Sequence, residues 1–123
     1  MQGIPRFSVV VPVYNRPDEL RELLESLTRQ TYQNFEVLVV EDGSSDRCDT
    51  VVQQYSNRLA VQYLYKPNTG PGPSRNFGFA HARGEYFVVF DSDCIVPPHY
   101  FEVVDVALRK HAFDAWGGSR SRT

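Results

Sequence analysis

Residues 86–93 read Tyr86-Phe87-Val88-Val89-Phe90-Asp91-Ser92-Asp93, and they are the most informative segment of the chain. A short run of β-branched and aromatic residues predicts a buried strand, which here runs directly into two aspartates. Ligands of open α/β sheets bind at the carboxyl ends of the strands. Two carboxylates in one crevice repel each other unless a cation neutralises them. Since Mg²⁺ and Mn²⁺ take carboxylate oxygens together with substrate phosphates, the stretch predicts a site for a divalent cation and a phosphate-bearing ligand. Asp-x-Asp is also common in turns, so the rest of the chain has to decide between the two interpretations.

Strand and helix patterns alternate along the chain. Further strands are predicted from runs of apolar residues at Phe7 to Val13, Phe35 to Val40 and Val61 to Tyr65. Four helices are also predicted. The first begins at Pro17, and the second lies around Cys48 to Tyr55 with a cap at Ser44, Ser45 or Asp46. The third runs from Ser74 to Ala82, and the fourth runs from Pro98 to about His111, with Phe101, Val104, Ala107 and Leu108 facing inward. Residues 66–73 are expected to form a loop, and a fifth strand is expected at Asp114 to Gly118.

This order of elements predicts an α/β fold with an open, mainly parallel sheet and helices on both faces. The length of 123 residues fits a single domain. In such a sheet the segments that follow strands one, two and four gather at one rim. We therefore expect Tyr14, Asp42 and the Asp91-Ser92-Asp93 segment to be neighbours, although they lie far apart in the sequence.

Composition excludes several classes of function. The net charge of −2 and the isoelectric point near 5.9 give no electrostatic footprint for nucleic acid. The chain has no apolar stretch long enough to span a bilayer, and its start lacks the apolar core of a signal peptide. These features favour a cytoplasmic location. Cys48 and Cys94, which lack metal-type spacing, are expected to be free thiols.

Three segments together resemble family 2 of the inverting glycosyltransferases, which have the GT-A nucleotide-diphospho-sugar transferase fold. The segments occur in the family's order and cover nearly the whole chain. They are Val9-Val10-Val11-Pro12-Val13-Tyr14-Asn15-Arg16, Val39-Val40-Glu41-Asp42-Gly43-Ser44-Ser45-Asp46, and Asn68-Thr69-Gly70 through Ser74-Arg75-Asn76-Phe77-Gly78 to Asp91-Ser92-Asp93.

The resemblance implies a role for individual residues. Pro12, Tyr14 and Asp42 would hold the nucleobase, since a carboxylate can accept the imino N–H of uracil or guanine. Arg75 would lie near the base or the diphosphate. Asp91 would contact the ribose, with Ser92 beside it as a further substrate-binding residue. Asp93, with Asp91 as the second candidate ligand, would hold the Mn²⁺ or Mg²⁺ that bridges the diphosphate.

The implied activity is metal-assisted, inverting transfer of a sugar from a nucleotide-diphospho-sugar, UDP-sugar being favoured, to a saccharide or a lipid-linked acceptor. The commonest setting of the family is cell-surface polysaccharide synthesis, and the full-length protein could be peripheral to the membrane. The family's general base lies well downstream, and no position here matches it, so the catalytic base is unknown. We therefore expect a truncated donor-binding part that is inactive by itself.

The same residues allow other interpretations. Asp42-Gly43 is also typical of a turn, and Arg75 of a solvated helix face. Cys94 stands where many relatives carry another acid. A non-catalytic nucleotide-sugar-binding module would share the same donor residues. A haloacid dehalogenase-type phosphohydrolase would use an Asp-x-Asp pair as nucleophile and acid/base, but there the pair follows the first strand rather than the fourth.

Overall fold

The computed structural model describes residues 4–114, with side chains described through residue 110. Strands and helices alternate within this range, as the sequence predicts. The elements are β1 Phe7–Val13, α1 Pro17–Thr28, β2 Phe35–Asp42, α2 Asp49–Tyr55, β3 Val61–Lys66, α3 Pro71–His81, β4 Tyr86–Val89 and α4 Tyr100–Asp114.

The four strands form one parallel sheet in the order β3-β2-β1-β4. Phe7 at the start of β1 lies opposite Phe35 of β2 on one side and Tyr86 of β4 on the other. All four strands therefore end at the same edge, which is the edge where the sequence predicts a site. The predicted open, parallel α/β sheet is confirmed.

Side chains of the central strands β1 and β2 are buried on both faces, which explains their continuous apolar sequence. One face, with Val9, Val11, Val37 and Val39, packs against α1, α2 and α4 in a single core. The opposite face is smaller and packs against α3, mainly through Phe77 and Phe79. Its buried strand residues are Val10, Leu38 and Val40. Helices therefore cover both faces, as predicted.

The expectation that residues 86–90 form a buried strand is wrong in part. Strand β4 ends at Val89, and its side chains are exposed or half-buried, with Tyr86 and Phe87 exposed by 37% and 42%. The reason is its place at the edge of the sheet, where β4 pairs only with β1 among the described residues. Its aromatic residues still find partial cover, since the Phe87 ring stacks on Phe79 of α3 at 5.3 Å between centroids.

Three helix starts differ from the predictions. Helix α2 begins at Asp49 after Cys48, and the predicted caps Ser44, Ser45 and Asp46 lie too early in the chain for this role. Helix α4 begins at Tyr100 rather than Pro98. Helix α3 begins at Pro71 rather than Ser74, so residues 71–73 are its first turn and not part of a loop. Proline fits a first helical turn because its missing N–H has no intrahelical partner there.

Two details at the carboxyl end of the chain also differ. Ala107 is exposed, whereas Phe101 is buried and stacks on Phe35 at 4.7 Å, and Val104 and Leu108 are half-buried. Asp114 is helical, so the predicted fifth strand does not begin there. The rest of that predicted strand, residues 115–118, lies outside the described residues.

Candidate functional site

A cleft of about 200 Å³ lies at the carboxyl edge of the sheet. Five of its lining residues are sequence-predicted site residues, contributed by the ends of β1 and β2 and by the segment after β4. These are Pro12, Tyr14, Asp42, Asp91 and Ser92. The remaining lining residues are Val13, Pro71 and Ser74. The predicted meeting of the three strand ends is thus confirmed as geometry. Helix α3 adds Pro71 and Ser74 to the lining, of which Pro71 was expected in a loop and Ser74 at a helix start.

The Asp42 carboxylate forms the wall of the cleft at the end of β2, and it is only 6% exposed. Its Oδ1 accepts hydrogen bonds from the Thr69 backbone N–H at 2.9 Å and the Lys66 ammonium at 3.0 Å. Its Oδ2 accepts one from the Gly70 N–H at 3.0 Å. Gly70 precedes α3 and has no side chain that could cap the helix, so the Asp42 side chain at the end of β2 takes this role.

Asp42 is held in its charged form. Burial by itself would raise the pKa of Asp42, but the Thr69 N–H, the Lys66 ammonium and the Gly70 N–H favour the carboxylate, and the pKa falls below that of an ordinary aspartate. The ionised group therefore stabilises the fold above about pH 4, and this contribution is lost as the pH falls through the lowered pKa. At neutral pH the cleft presents an acceptor and not a donor at this position.

Gly43 permits the close approach of the loop that holds Asp42. Its φ of 68° lies in the left-handed region, and a Cβ at this position would lie 2.5 Å from the Asn68 backbone nitrogen. The Asn68 side chain in turn donates to the Asp42 carbonyl oxygen at 3.0 Å. Asp42 therefore lines the cleft as the last residue of β2, and the chain bends at Gly43 directly after it.

Asn15 joins the segment after β1 to the segment after β2. Its backbone N–H donates to Ser44 Oγ at 2.8 Å, and its Oδ1 accepts from the Asp46 N–H at 2.8 Å. Asn15 has a φ of 53°, a left-handed conformation that asparagine tolerates better than most residues. This arrangement fixes the backbone beside Tyr14, whose side chain is 52% exposed at the cleft.

Asp91 and Asp93 are both exposed on a turn in which the Cys94 N–H donates to the Asp91 carbonyl oxygen at 3.0 Å. Neither carboxylate takes part in a hydrogen bond or an ion pair within residues 4–110. No cluster of three or more histidine, cysteine or acidic side chains occurs in the described part of the chain. Carboxylate oxygens are ligands that hard divalent cations prefer, so Asp91 and Asp93 are the residues of this turn that could hold one.

Other predicted positions lie at different distances from the cleft. Ser92 lines it, and its hydroxyl donates to Glu19 Oε1 of α1 at 3.3 Å. Asp93 is not among the lining residues, and neither is Arg75, which is half-buried one residue after Ser74 on α3. The structure therefore brings Asp42, Asp91 and Ser92 together, and places Arg75 and Asp93 next to residues that line the cleft.

Glu41 is a fully buried acid that the sequence analysis did not single out. Its Oε1 accepts from the Cys48 N–H at 2.8 Å and the Tyr63 hydroxyl at 2.6 Å, while its Oε2 has no partner among the described residues. Burial, together with Glu41, raises the pKa of both Cys48 and Tyr63. Cys48 is therefore a protonated, unreactive thiol that orders the start of α2. Cys94 is also unpaired, so the expectation of free thiols is confirmed for both cysteines.

Comparison with known proteins assigns the class. The chain matches glycosyl transferase family 2 over residues 8–122, and it belongs to this family. It is 38% identical over 98 residues to an uncharacterized glycosyltransferase of Rickettsia typhi, a match that covers 80% of this chain and 30% of the relative. It is 41% identical over 102 residues to the glycosyltransferase GlyG of Streptococcus pneumoniae serotype 4, covering 79% of this chain and 33% of that protein.

Solved structures give the same assignment. S. aureus TarS 1–349 in complex with UDP superposes with a TM-score of 0.82 and 30% identity, covering 94% of this chain and 38% of that one. A mannosyltransferase from Pyrobaculum calidifontis, solved in complex with GDP-Man and Mn²⁺, superposes with a TM-score of 0.73 and 27% identity over 86% of this chain and 32% of that one. The predicted GT-A fold and family resemblance are confirmed, and the family assignment favours the glycosyltransferase interpretation over the phosphohydrolase.

The chain spans between 30% and 38% of the length of the proteins just named. Within residues 4–114, no helix is long and apolar enough to cross a bilayer.

The Asn15 contacts predict a graded effect of two substitutions on stability. Asn15→Ala removes the side-chain acceptor and places a Cβ-bearing residue without a compensating bond at positive φ, so we expect a loss of about 1–3 kcal/mol in the free energy of unfolding. Asn15→Gly removes the same acceptor but tolerates the backbone conformation, and should cost about 1 kcal/mol less. Urea denaturation of the three proteins measures both values. Equal losses for the two variants would show that backbone strain at residue 15 does not matter.

Proposed function

We propose that this chain is the donor-binding part of an inverting glycosyltransferase, and that its cleft binds a nucleotide-diphospho-sugar. The observation that carries the proposal is the convergence of Tyr14, Asp42, Asp91 and Ser92 on one cleft from three separate strand ends. Family membership and the nucleotide complexes of the superposed structures support it. The acceptor in this proposal is a saccharide or a lipid-linked saccharide.

Asp42 is proposed as the contact for the nucleobase. An ionised carboxylate can only accept hydrogen bonds, so it matches the imino N–H of uracil or guanine. At the corresponding ring position cytosine and adenine carry a nitrogen lone pair, which the carboxylate would repel. The exposed ring of Tyr14, beside Pro12, offers a face for stacking on the base. UDP-sugar is the favoured donor.

Asp91, Ser92 and Asp93 are proposed to hold the ribose and the diphosphate. Both Asp91 and Ser92 line the cleft. In this proposal the Asp91 carboxylate accepts hydrogen bonds from ribose hydroxyls, and the Ser92 oxygen, whose proton is donated to Glu19, is a further acceptor. Asp93 lies one residue further along the exposed turn, where its free carboxylate would hold Mn²⁺ or Mg²⁺ together with Asp91. A divalent cation bound there neutralises the charge that develops on the departing nucleoside diphosphate. Arg75, which follows Ser74 on α3, is proposed as a further cationic contact for the donor.

The general base of the reaction is proposed to lie outside residues 4–114. An inverting transfer requires a base within hydrogen-bond reach of the acceptor hydroxyl, on the face opposite the leaving group. In this proposal Asp42, Asp91 and Asp93 are all engaged with the donor, so none of them is available to the acceptor. The donor half of the site can therefore be tested through binding, without an assay of transfer.

The first test compares nucleotides that differ only at the base. UDP and CDP share ribose and diphosphate, so isothermal titration calorimetry with this pair isolates the contact to the base. We expect UDP to bind about ten- to a hundredfold more tightly than CDP. This range corresponds to a charge-assisted hydrogen bond that uracil gains at Asp42, together with the repulsion that the cytosine lone pair meets there. Asp42→Ala should remove this preference. Equal affinities for UDP and CDP in the parent protein would contradict the role of Asp42.

The second test concerns the cation. Asp93→Asn should abolish the increase in UDP affinity that Mn²⁺ produces, because the amide oxygen is a weaker, uncharged ligand. The metal-free affinity should remain close to that of the parent. Glu22→Gln provides a control, since Glu22 is an exposed acid on α1 and its replacement changes the net charge by the same amount. Calorimetry with and without Mn²⁺ measures the effect. An unchanged Mn²⁺ enhancement in Asp93→Asn would exclude Asp93 as the metal ligand.

A further inference from the structure

Lys66 is a buried cation bonded to the cleft residue Asp42, and it was expected in a loop. It is the last residue of β3, and it lies opposite Asp42, the last residue of β2, in the register of the parallel sheet. Its Nζ donates to Asp42 Oδ1 at 3.0 Å, to the Pro67 carbonyl oxygen at 2.7 Å and to the Thr69 hydroxyl. These three bonds use all three N–H donors of the ammonium group. Lys66 is only 8% exposed, so the group is fixed rather than mobile in solvent.

The bonds from Lys66 leave the two oxygens of Asp42 in different situations. Oδ1 accepts from both the Lys66 ammonium and the Thr69 N–H. Oδ2 accepts only from the Gly70 N–H within the described residues, and Asp42 lines the cleft. A carboxylate oxygen can accept at least two hydrogen bonds. Oδ2 can therefore accept one more hydrogen bond. Because the Lys66 ammonium bonds to Oδ1, Lys66 determines that Oδ2 is the oxygen with this free capacity.

We infer that Lys66 is a positioning residue for the nucleobase contact: it keeps Asp42 ionised and leaves Oδ2 as the acceptor for an imino N–H. This inference rests on the proposed function of the cleft. It assigns Lys66 no contact with the donor, since all of its N–H groups are engaged with the protein. Lys66 thus influences which bases bind by acting through Asp42.

A purely structural ion pair would behave differently. Buried ion pairs are weak evidence for stability, because the cost of desolvation offsets much of the attraction. If Lys66 only held the loop, its replacement would lower stability and leave the pH dependence of binding unchanged. If it keeps Asp42 charged, its replacement must make binding depend on pH in the range where Asp42 then titrates.

The sign of this pH dependence follows from the groups that face Asp42. These are the Lys66 ammonium from β3 and the N–H groups of Thr69 and Gly70 before α3. Tyr14 and Asp91 also line the cleft. Without Lys66, burial favours the protonated form, and only the N–H groups of Thr69 and Gly70 oppose it. The pKa of Asp42 then rises, and UDP binding is lost as the pH falls through the new value.

The test is UDP binding between pH 5.5 and 8 in EDTA, which removes divalent metal from the comparison. The parent protein should show an affinity governed only by the titration of UDP itself. Relative to the parent, Lys66→Met should bind UDP more weakly, by about tenfold for each pH unit below the raised pKa of Asp42. Lys66→Arg keeps the charge and should restore the pH profile of the parent, even if its bulkier head group lowers the affinity. A constant ratio between Lys66→Met and the parent across the pH range would overturn the inference.

A double-variant cycle tests whether Lys66 acts through Asp42. In an Asp42→Asn background there is no charge for Lys66 to maintain, so Asp42→Asn and Asp42→Asn/Lys66→Met should bind UDP equally well at every pH. If Lys66→Met weakened UDP binding by the same factor in the Asp42→Asn background as in the parent protein, the inference would be overturned. Thermal unfolding confirms that each variant is folded, and Lys66→Gln, which removes the charge but keeps a donor, replaces Lys66→Met if the latter does not fold.

The failure of this inference is distinguishable from failure of the proposed function. Absence of UDP binding by the parent protein at every pH would contradict the proposed donor. The role of Lys66 would then be decided by the carboxyl ¹³C resonance of Asp42, whose titration should move to higher pH in Lys66→Met with no nucleotide present. An Asp42 titration that is the same in Lys66→Met and the parent would overturn the inference whatever the ligand.

Discussion

The Asp42 carboxylate is the group on which the geometry of the cleft depends. It ends the central strand β2, and its two oxygens bind the Thr69 and Gly70 N–H groups that lead into α3. A charged acceptor that receives several hydrogen bonds in a buried position forms stronger bonds than a neutral one, and its loss leaves several donors unpaired. The position of α3, and with it the Pro71 and Ser74 side of the cleft, therefore depends on one side chain of the sheet.

Two groups of residues lie near Asp42. One group fixes the backbone of the turns, and the other has side chains without hydrogen-bond partners in the described part of the chain. Asn15 and Gly43 fix the turns that follow β1 and β2. Tyr14 and Asp91, in contrast, are exposed, and their side chains make no hydrogen bond within the described residues. Binding residues on short segments at the end of a rigid sheet are typical of α/β proteins. The fixed backbone means that little conformational entropy has to be lost when a ligand binds.

The sequence was sufficient to predict the sheet and most of the cleft, because both follow from strong periodic signals. The apolar runs of β1 and β2 require burial on both faces, and parallel strands necessarily bring Tyr14, Asp42 and Asp91 to one edge. Lys66 was not predicted as part of the site because the burial of a lysine depends on a partner from another strand, which the local sequence does not show. Glu41 was missed for the same reason, since its partners Cys48 and Tyr63 lie on other elements.

The errors at element boundaries also have physical causes. The prolines at positions 71 and 73 favour a loop by composition, but proline is also compatible with the first turn of a helix, and α3 begins at Pro71. The aromatic residues of β4 predicted burial, but exposure depends on the position of a strand in the sheet, and a run of four residues carries no information about sheet order. The sequence does contain a signal for the correct start of α3, since Gly70-Pro71 before a helical pattern is also typical of a helix start.

In the proposed function a nucleoside diphosphate binds at the carboxyl edge of the sheet, with its base beside Asp42. Titration of the ¹⁵N-labelled protein with UDP, followed through backbone amide chemical shifts, locates the bound nucleotide. The largest changes are expected at Tyr14, Thr69, Gly70 and Ser92, and no change is expected at Gln62 and Arg83, which line a second groove of about 310 Å³ beside Glu36. Changes centred on Gln62 and Arg83, with those at Thr69 and Gly70 absent, would contradict this proposal.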